Sequence, residues 1–148
     1  MHLQYRIFIR ALSEIVITLT RCNIGWFCIM KNRWIYHLSR KTDYFTSNIS
    51  DLYCGSKEDQ IDGFLHFSTA KQVIESASKH RAGEIGLLLL EIDSNTIKSG
   101  LRWETARNGD LFPHLYGPLD KSVINRVVEL SINSNGNHIF PSLKDESL

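Results

Sequence analysis

Several things are scarce in this sequence. Only three of its 148 residues are cysteine. Cys22, Cys28 and Cys54 form no CxxC pair, so the count argues against a disulfide framework or a zinc finger and suits a reducing compartment. A surplus of charge is missing too. With 17 basic and 16 acidic residues the net charge is +1, which argues against a general nucleic-acid or membrane-surface binder. No apolar run is long enough to span a bilayer. Glu14 and Arg21 break the N-terminal region into Ile15 to Thr20 and Cys22 to Met30, far short of the ~20 residues a span needs. Charges inside the apolar stretch also argue against a signal peptide. GxSxG, HExxH, Walker and GxGxxG motifs are absent. There are three prolines, and two of them, Pro113 and Pro118, fall in one stretch, LFPHLYGPLD.

What is present fits one globular domain. Hydrophobic residues make up 43% and charged residues 22%, and the length allows a modest core. Residues 1–29 read either as an added helix or strand, or as an extension upstream of a start at Met30. From Met30 onward the balance is 14 basic to 15 acidic residues once Arg6, Arg10, Arg21 and Glu14 are set aside. Residues 30–132 carry the patterned elements, and residues 133–148 read as a loosely ordered tail.

RWIYHLS alternates as a strand, with Trp34, Tyr36 and Leu38 on one face and Ile35, His37 and Ser39 on the other. A short helix is expected over SRKTDYFTSN, with Ser39 as N-cap. ISDLYCGSKEDQIDG reads as a long loop. GFLHFS is a second strand, separating Phe64, His66 and Ser68 from Leu65 and Phe67. STAKQVIESASKH has the helical spacing of Ala70, Val73, Ile74 and Ala77, and GLLLLEID has the unbroken apolar character of a strand buried on both faces. GLRWE alternates, with Leu101 and Trp103 inward and Arg102 and Glu104 outward. NGD marks a turn, and SVINRVVELSI supplies a last strand. The sum is a mixed α+β domain.

Three histidines lie inside these segments: His37, His66 and His114. Each has an aromatic neighbour, and each reads either as a satisfied structural residue or as part of a shared cleft. Together they would also allow a three-histidine metal site. Glu104 is the leading carboxylate. It forms either a solvated pair with Arg102 or a substrate-facing one. Ser68 and Thr69 open a helix, where capping and anion binding are compatible. In LFPHLYGPLD, Pro113, Gly117 and Pro118 restrict the backbone. Either they present His114 and Tyr116 to a cleft, or Leu111, Phe112 and Leu115 plug one end of a sheet.

IYHL, GFLHFST, LLLLEID, LRWE and LFPHLYGPL, in this order and spacing, resemble the bacterial family known as domain of unknown function 952. Leu65 and Phe67 stand where a typical member reads GFIHCST. The resemblance implies a compact split mixed β-sheet similar to the ADP-ribosyltransferase fold, nearest the RNA 2′-phosphotransferase group, with a cleft for NAD. It places catalytic histidines at His37 and His66 and a third active-site group at Glu104, His114 or Tyr116. Tyr36, Ser68, Thr69, Arg102, Trp103 and Tyr116 would line the ligand. The function this implies is a cytoplasmic transferase or hydrolase acting on NAD, ADP-ribose or a similar small nucleotide. No metal, membrane or general nucleic-acid partner is expected. Two alternatives stay open: a non-catalytic module binding a nucleotide or RNA end, and a metal-dependent enzyme using the three histidines.

Overall fold

The computed structural model describes residues 33–46, 51–107 and 109–145. Residues 1–29, read above as an extension, lie outside the described residues.

The alternation of RWIYHLS produces β1, Trp34–Arg40. Helix α1 follows at once over Lys41–Thr46. Ser39 is not its cap: it pairs with Leu88 inside the sheet, and its hydroxyl lies 2.8 Å from that of Tyr53. The stretch expected to be a long loop contains β2, Leu52–Tyr53, and a further helix α2, Lys57–Asp62. Helix α2 is short but closed at both ends. Ser56 and Asp59 form a reciprocal capping box, and Gly63 takes the left-handed conformation that ends the helix.

Strand β3 is brief, Leu65–His66, and leads into α3, Ala70–His80. The capping box here joins Thr69 and Gln72. Ala70, Val73 and Ala77 are buried, whereas Ile74, expected on the same face, is 49% exposed. Strand β4, Leu87–Asp93, is buried along its whole length. Then come β5 (Leu101–Thr105), β6 (Leu111–Leu115), β7 (Leu119–Asp120) and β8 (Ile124–Ile132). Past Ile132, in the segment read as a loose tail, β9 (His138–Ile139) pairs with β8.

The order β1-β4-β8-β9 makes one sheet, β3-β6-β5 a second, and β2-β7 a two-stranded ribbon. The sheet is therefore split, but it is not mixed: every described pairing is antiparallel. An unbroken apolar strand usually signals parallel neighbours. Here β4 is apolar because both of its faces are covered. Leu87 and Leu89 pack with Tyr36, Val73 and Leu130, joined by Phe140 and Leu143 from the C-terminal segment. Leu88, Leu90 and Ile92 pack with Ile35, Leu65, Phe67 and Leu115 of the opposite side. Each such side chain, fully buried, contributes roughly 1.5–3 kcal/mol.

One carboxylate lies within this packing. Glu91 is 1% exposed, and its oxygens lie 3.0 Å from Arg126 Nη2 and 2.8 Å from Lys144 Nζ. Lys144 also sits 3.7 Å above the Trp34 ring. The Tyr36 hydroxyl hydrogen-bonds the Lys144 backbone at 2.8 and 3.1 Å. The C-terminal segment is thereby held to the sheet by burial and by charge. No helix among the described residues is long and apolar enough to cross a membrane.

Candidate functional site

The site grows from the cap of α2. Asp59, 5% exposed, accepts the Ser56 backbone N–H at 2.8 Å and the Ser56 hydroxyl at 2.7 Å through Oδ2. Its other oxygen accepts from His66 Nδ1 at 2.8 Å and from the His66 backbone at 3.2 Å. Burial alone would push this carboxyl up. The hydrogen bonds from His66 and Ser56, with the neighbouring imidazoles, instead hold it well below the usual carboxylate range. In return the hydrogen bond to Asp59 raises the His66 pKa, against partial burial that would lower it. Gly55 makes the geometry possible. Its φ is +80°, and a Cβ there would lie 2.7 Å from Asp59 Cβ and run into Leu65.

His66 pairs with His114 across β3 and β6, and the two rings stand 5.3 Å apart, edge to face. His114 has its own carboxylate. Its Nδ1 lies 2.7 Å from Glu104 Oε2 on β5, and the Tyr116 hydroxyl donates to the same group at 3.0 and 3.1 Å. Those two hydrogen bonds, His114 first, lower the Glu104 pKa, and the bond to Glu104 raises that of Tyr116. Phe64 stacks on His114 at 4.3 Å and also contacts the His66 and Tyr116 rings. Arg102 lies 4.5 Å over the outer face of Tyr116. With Nδ1 committed to a carboxylate, the remaining nitrogen of each imidazole is the one able to exchange protons with a ligand. His66 Nε2 lies 3.4 Å from Asp62 Oδ2, an exposed neighbour.

Both imidazoles line a cleft of about 630 Å³ together with Asp59, Arg81, Arg107 and Phe112. That volume suits a small-molecule ligand.

His37 belongs to the wall behind this site. It is 3% exposed. Its Nδ1 lies 2.7 Å from the His66 carbonyl, an acceptor, so Nδ1 carries the proton. Its Nε2 lies 2.8 Å from the Tyr53 hydroxyl. Burial pushes the His37 pKa down and that of Tyr53 up. A buried imidazole held at both nitrogens fixes the backbone of His66, so although His37 lines the cleft, both of its ring nitrogens are already engaged within the wall. For the same reason the three-histidine metal site does not form. Among the described residues no group of three His, Cys, Asp or Glu could hold an ion.

The remaining expected residues divide cleanly. Tyr36 borders the cleft, but its ring packs in the opposite core cluster, where burial pushes its pKa up to about 12. Trp103 packs against the core and does not line the cleft. Glu104 and Tyr116 stand behind His114 and orient it. Ser68 lines the cleft, but its backbone pairs with Tyr36 in both directions. Thr69 spends its side chain on the α3 cap. Within LFPHLYGPLD, Leu115 alone of the three expected plug residues is buried. Leu111 is exposed and Phe112 faces the cleft. Pro113 is tolerated mid-sheet because its carbonyl, not a missing N–H, meets Phe67 N at 2.8 Å. Asp59 was not singled out in the sequence. Its only signal is the spacing Ser56-x-x-Asp59 before Gly63, a capping box with aspartate in place of the commoner glutamate.

Solved structures share this architecture. The crystal structure of protein CC0527 from Caulobacter crescentus matches with a TM-score of 0.68 and 32% identity, covering 72% of this chain and 93% of that one. Its solution NMR structure matches with a TM-score of 0.64 at the same identity, covering 71% and 90%. No curated protein matches this chain. Residues 38–127, more than half the sequence, match the family described as "Protein of unknown function (DUF952)", and this chain belongs to that family.

Proposed function

We propose that the cleft binds a nucleotide such as NAD or ADP-ribose and acts on it as a transferase or hydrolase, with His66 and His114 as an acid–base pair at a phosphate centre. The observation that carries this reading is the cross-strand imidazole pair, each ring oriented by its own carboxylate. Such a pair can work at once on both sides of a phosphate ester. The imidazole of His114 takes the proton of the attacking hydroxyl or water as its oxygen forms a new bond to phosphorus. The phosphorus–oxygen bond to the leaving group breaks, and the protonated His66, favoured by Asp59, gives its proton to the departing oxygen. Solvent then restores both rings. The α+β architecture with a split sheet beside a cleft supports the ADP-ribosyltransferase-like reading of the fold.

Glycosidic chemistry has less support. It needs a carboxylate facing the ribose, and Glu104 is turned to His114 and Tyr116 instead. A non-catalytic binding module is favoured by one contact, the 3.4 Å approach of Asp62 to His66 Nε2, which would keep that ring as a fixed cation.

Calorimetry with ADP-ribose and with NAD tests the reading, with His66→Ala as comparison. Binding by the wild type and its loss in the variant is expected. Equal affinity in both proteins would sink the proposal. Binding without turnover by the wild type would leave the module.

A further inference from the structure

The cleft does not end at Phe112. A second cavity of about 400 Å³ adjoins it, and the two share Ser76, His80, Ala106, Arg107 and Phe112 on their walls. Gln72, Glu75, Lys79 and Asp110 bound the far chamber. Each chamber is of a size to take one nucleoside-sized group, and the shared wall forms a waist between them.

Charge is distributed unevenly along this groove. Lys79 is matched by Glu75 at 2.6 Å, Arg81 by Glu84 at 3.5 Å and Glu58 by Arg40 at 3.6 Å. Asp59 is engaged with His66. At the waist, Arg107 and His80 have no ion pair among the described residues. The waist thus carries a guanidinium and an imidazole, both hydrogen-bond donors to an anion. Donors of this kind, between two chambers and beside an aromatic ring, match a phosphate group that links two larger moieties.

We propose that Arg107 and His80 hold the phosphate bridge of a two-part ligand, with the reacting half beside His66 and His114 and the other half in the second chamber against Phe112. This rests on the nucleotide reading above and narrows it to dinucleotides and similar diphosphate-linked molecules. Lys79, matched by Glu75, contributes little.

Inorganic pyrophosphate and AMP are the probes, titrated by calorimetry into the full chain. Pyrophosphate is expected to bind the wild type and the Lys79→Gln variant alike. Arg107→Gln, on an exposed turn, should fold normally and bind pyrophosphate about tenfold or more weakly. A His66→Asn/His114→Asn double variant should keep pyrophosphate binding while losing any turnover of ADP-ribose. ADP-ribose should bind more tightly than AMP in the wild type, with the gain lost in Arg107→Gln. Absence of pyrophosphate binding, or equal binding by Arg107→Gln, overturns the waist. So does loss of pyrophosphate in the double histidine variant, because the anion would then sit at the imidazoles. A nucleotide reading that fails with the waist intact would show as pyrophosphate binding without any response to ADP-ribose.

Discussion

His66 and His114 are direct partners in the register of β3 and β6, yet their carboxylates come from different elements. Asp59 reaches His66 from the cap of a helix, and Glu104 reaches His114 from the neighbouring strand. The two rings are therefore set by independent pieces of local structure and can be disturbed one at a time.

Two histidines should give opposite pH signatures in stability. The folded His66 holds its proton more tightly than the unfolded one, so its contribution is full below about pH 6.5 and is lost as pH rises through the folded value. His37 has its pKa lowered by burial. Its contribution is full above about pH 6.5 and is lost as pH falls toward the folded value. Thermal melts between about pH 5 and 8 should show the deficit of His66→Gln greatest at the acid end. The deficit of His37→Gln should be greatest at the alkaline end. Parallel deficits across the range would contradict both assignments.

Gly55→Ala should destabilise out of proportion to one methyl group. Positive φ and the approach to Asp59 and Leu65 act together, at a cost of about 2–4 kcal/mol. Urea denaturation reads this directly. A change under about 0.5 kcal/mol would mean the turn relaxes freely.

Neighbours on β5 should part company. Trp103→Ala removes a large ring packed on the core and should cost about 3 kcal/mol or more. Glu104→Gln alters a partly exposed carboxylate that holds His114 and Tyr116 and should cost far less. Denaturation midpoints of the two variants provide the comparison, and similar losses would contradict the assignment of faces.

Removal of residues 140–148 takes away Phe140, Leu143 and Lys144 together. Glu91 would keep Arg126 alone, on a face newly open to water. A loss of about 3 kcal/mol is expected, seen as a lower melting temperature. An unchanged melt would show that the segment lies on the sheet without supporting it.

The strands were legible in the sequence wherever one face was apolar. Trp34 to Ser39, Leu65 to Phe67 and Leu101 to Glu104 all place their faces as the alternation predicts. The cross-strand closeness of His66 and His114 was not legible, because register across forty-eight residues leaves no local mark. His37 shows the limit most clearly. Its sequence surroundings match those of His66, and only burial and the carbonyl of His66 itself separate wall from site. Helix α2 was missed because its six residues, KEDQID, contribute one apolar side chain and no periodicity. The C-terminal segment was misread for a related reason: Phe140, Leu143 and Lys144 work singly, against partners far away in the chain.

The placement of β4 between β1 and β8 also sets a kinetic course. Its pairs with β1 join residues as distant as Arg40 and Leu87, or Trp34 and Asp93, and neither strand gains until the intervening chain has closed. Such non-local pairing favours refolding over milliseconds to seconds. During that interval LLLLEID remains unshielded, so the strand that anchors the finished core is also the segment most exposed to self-association before folding is complete.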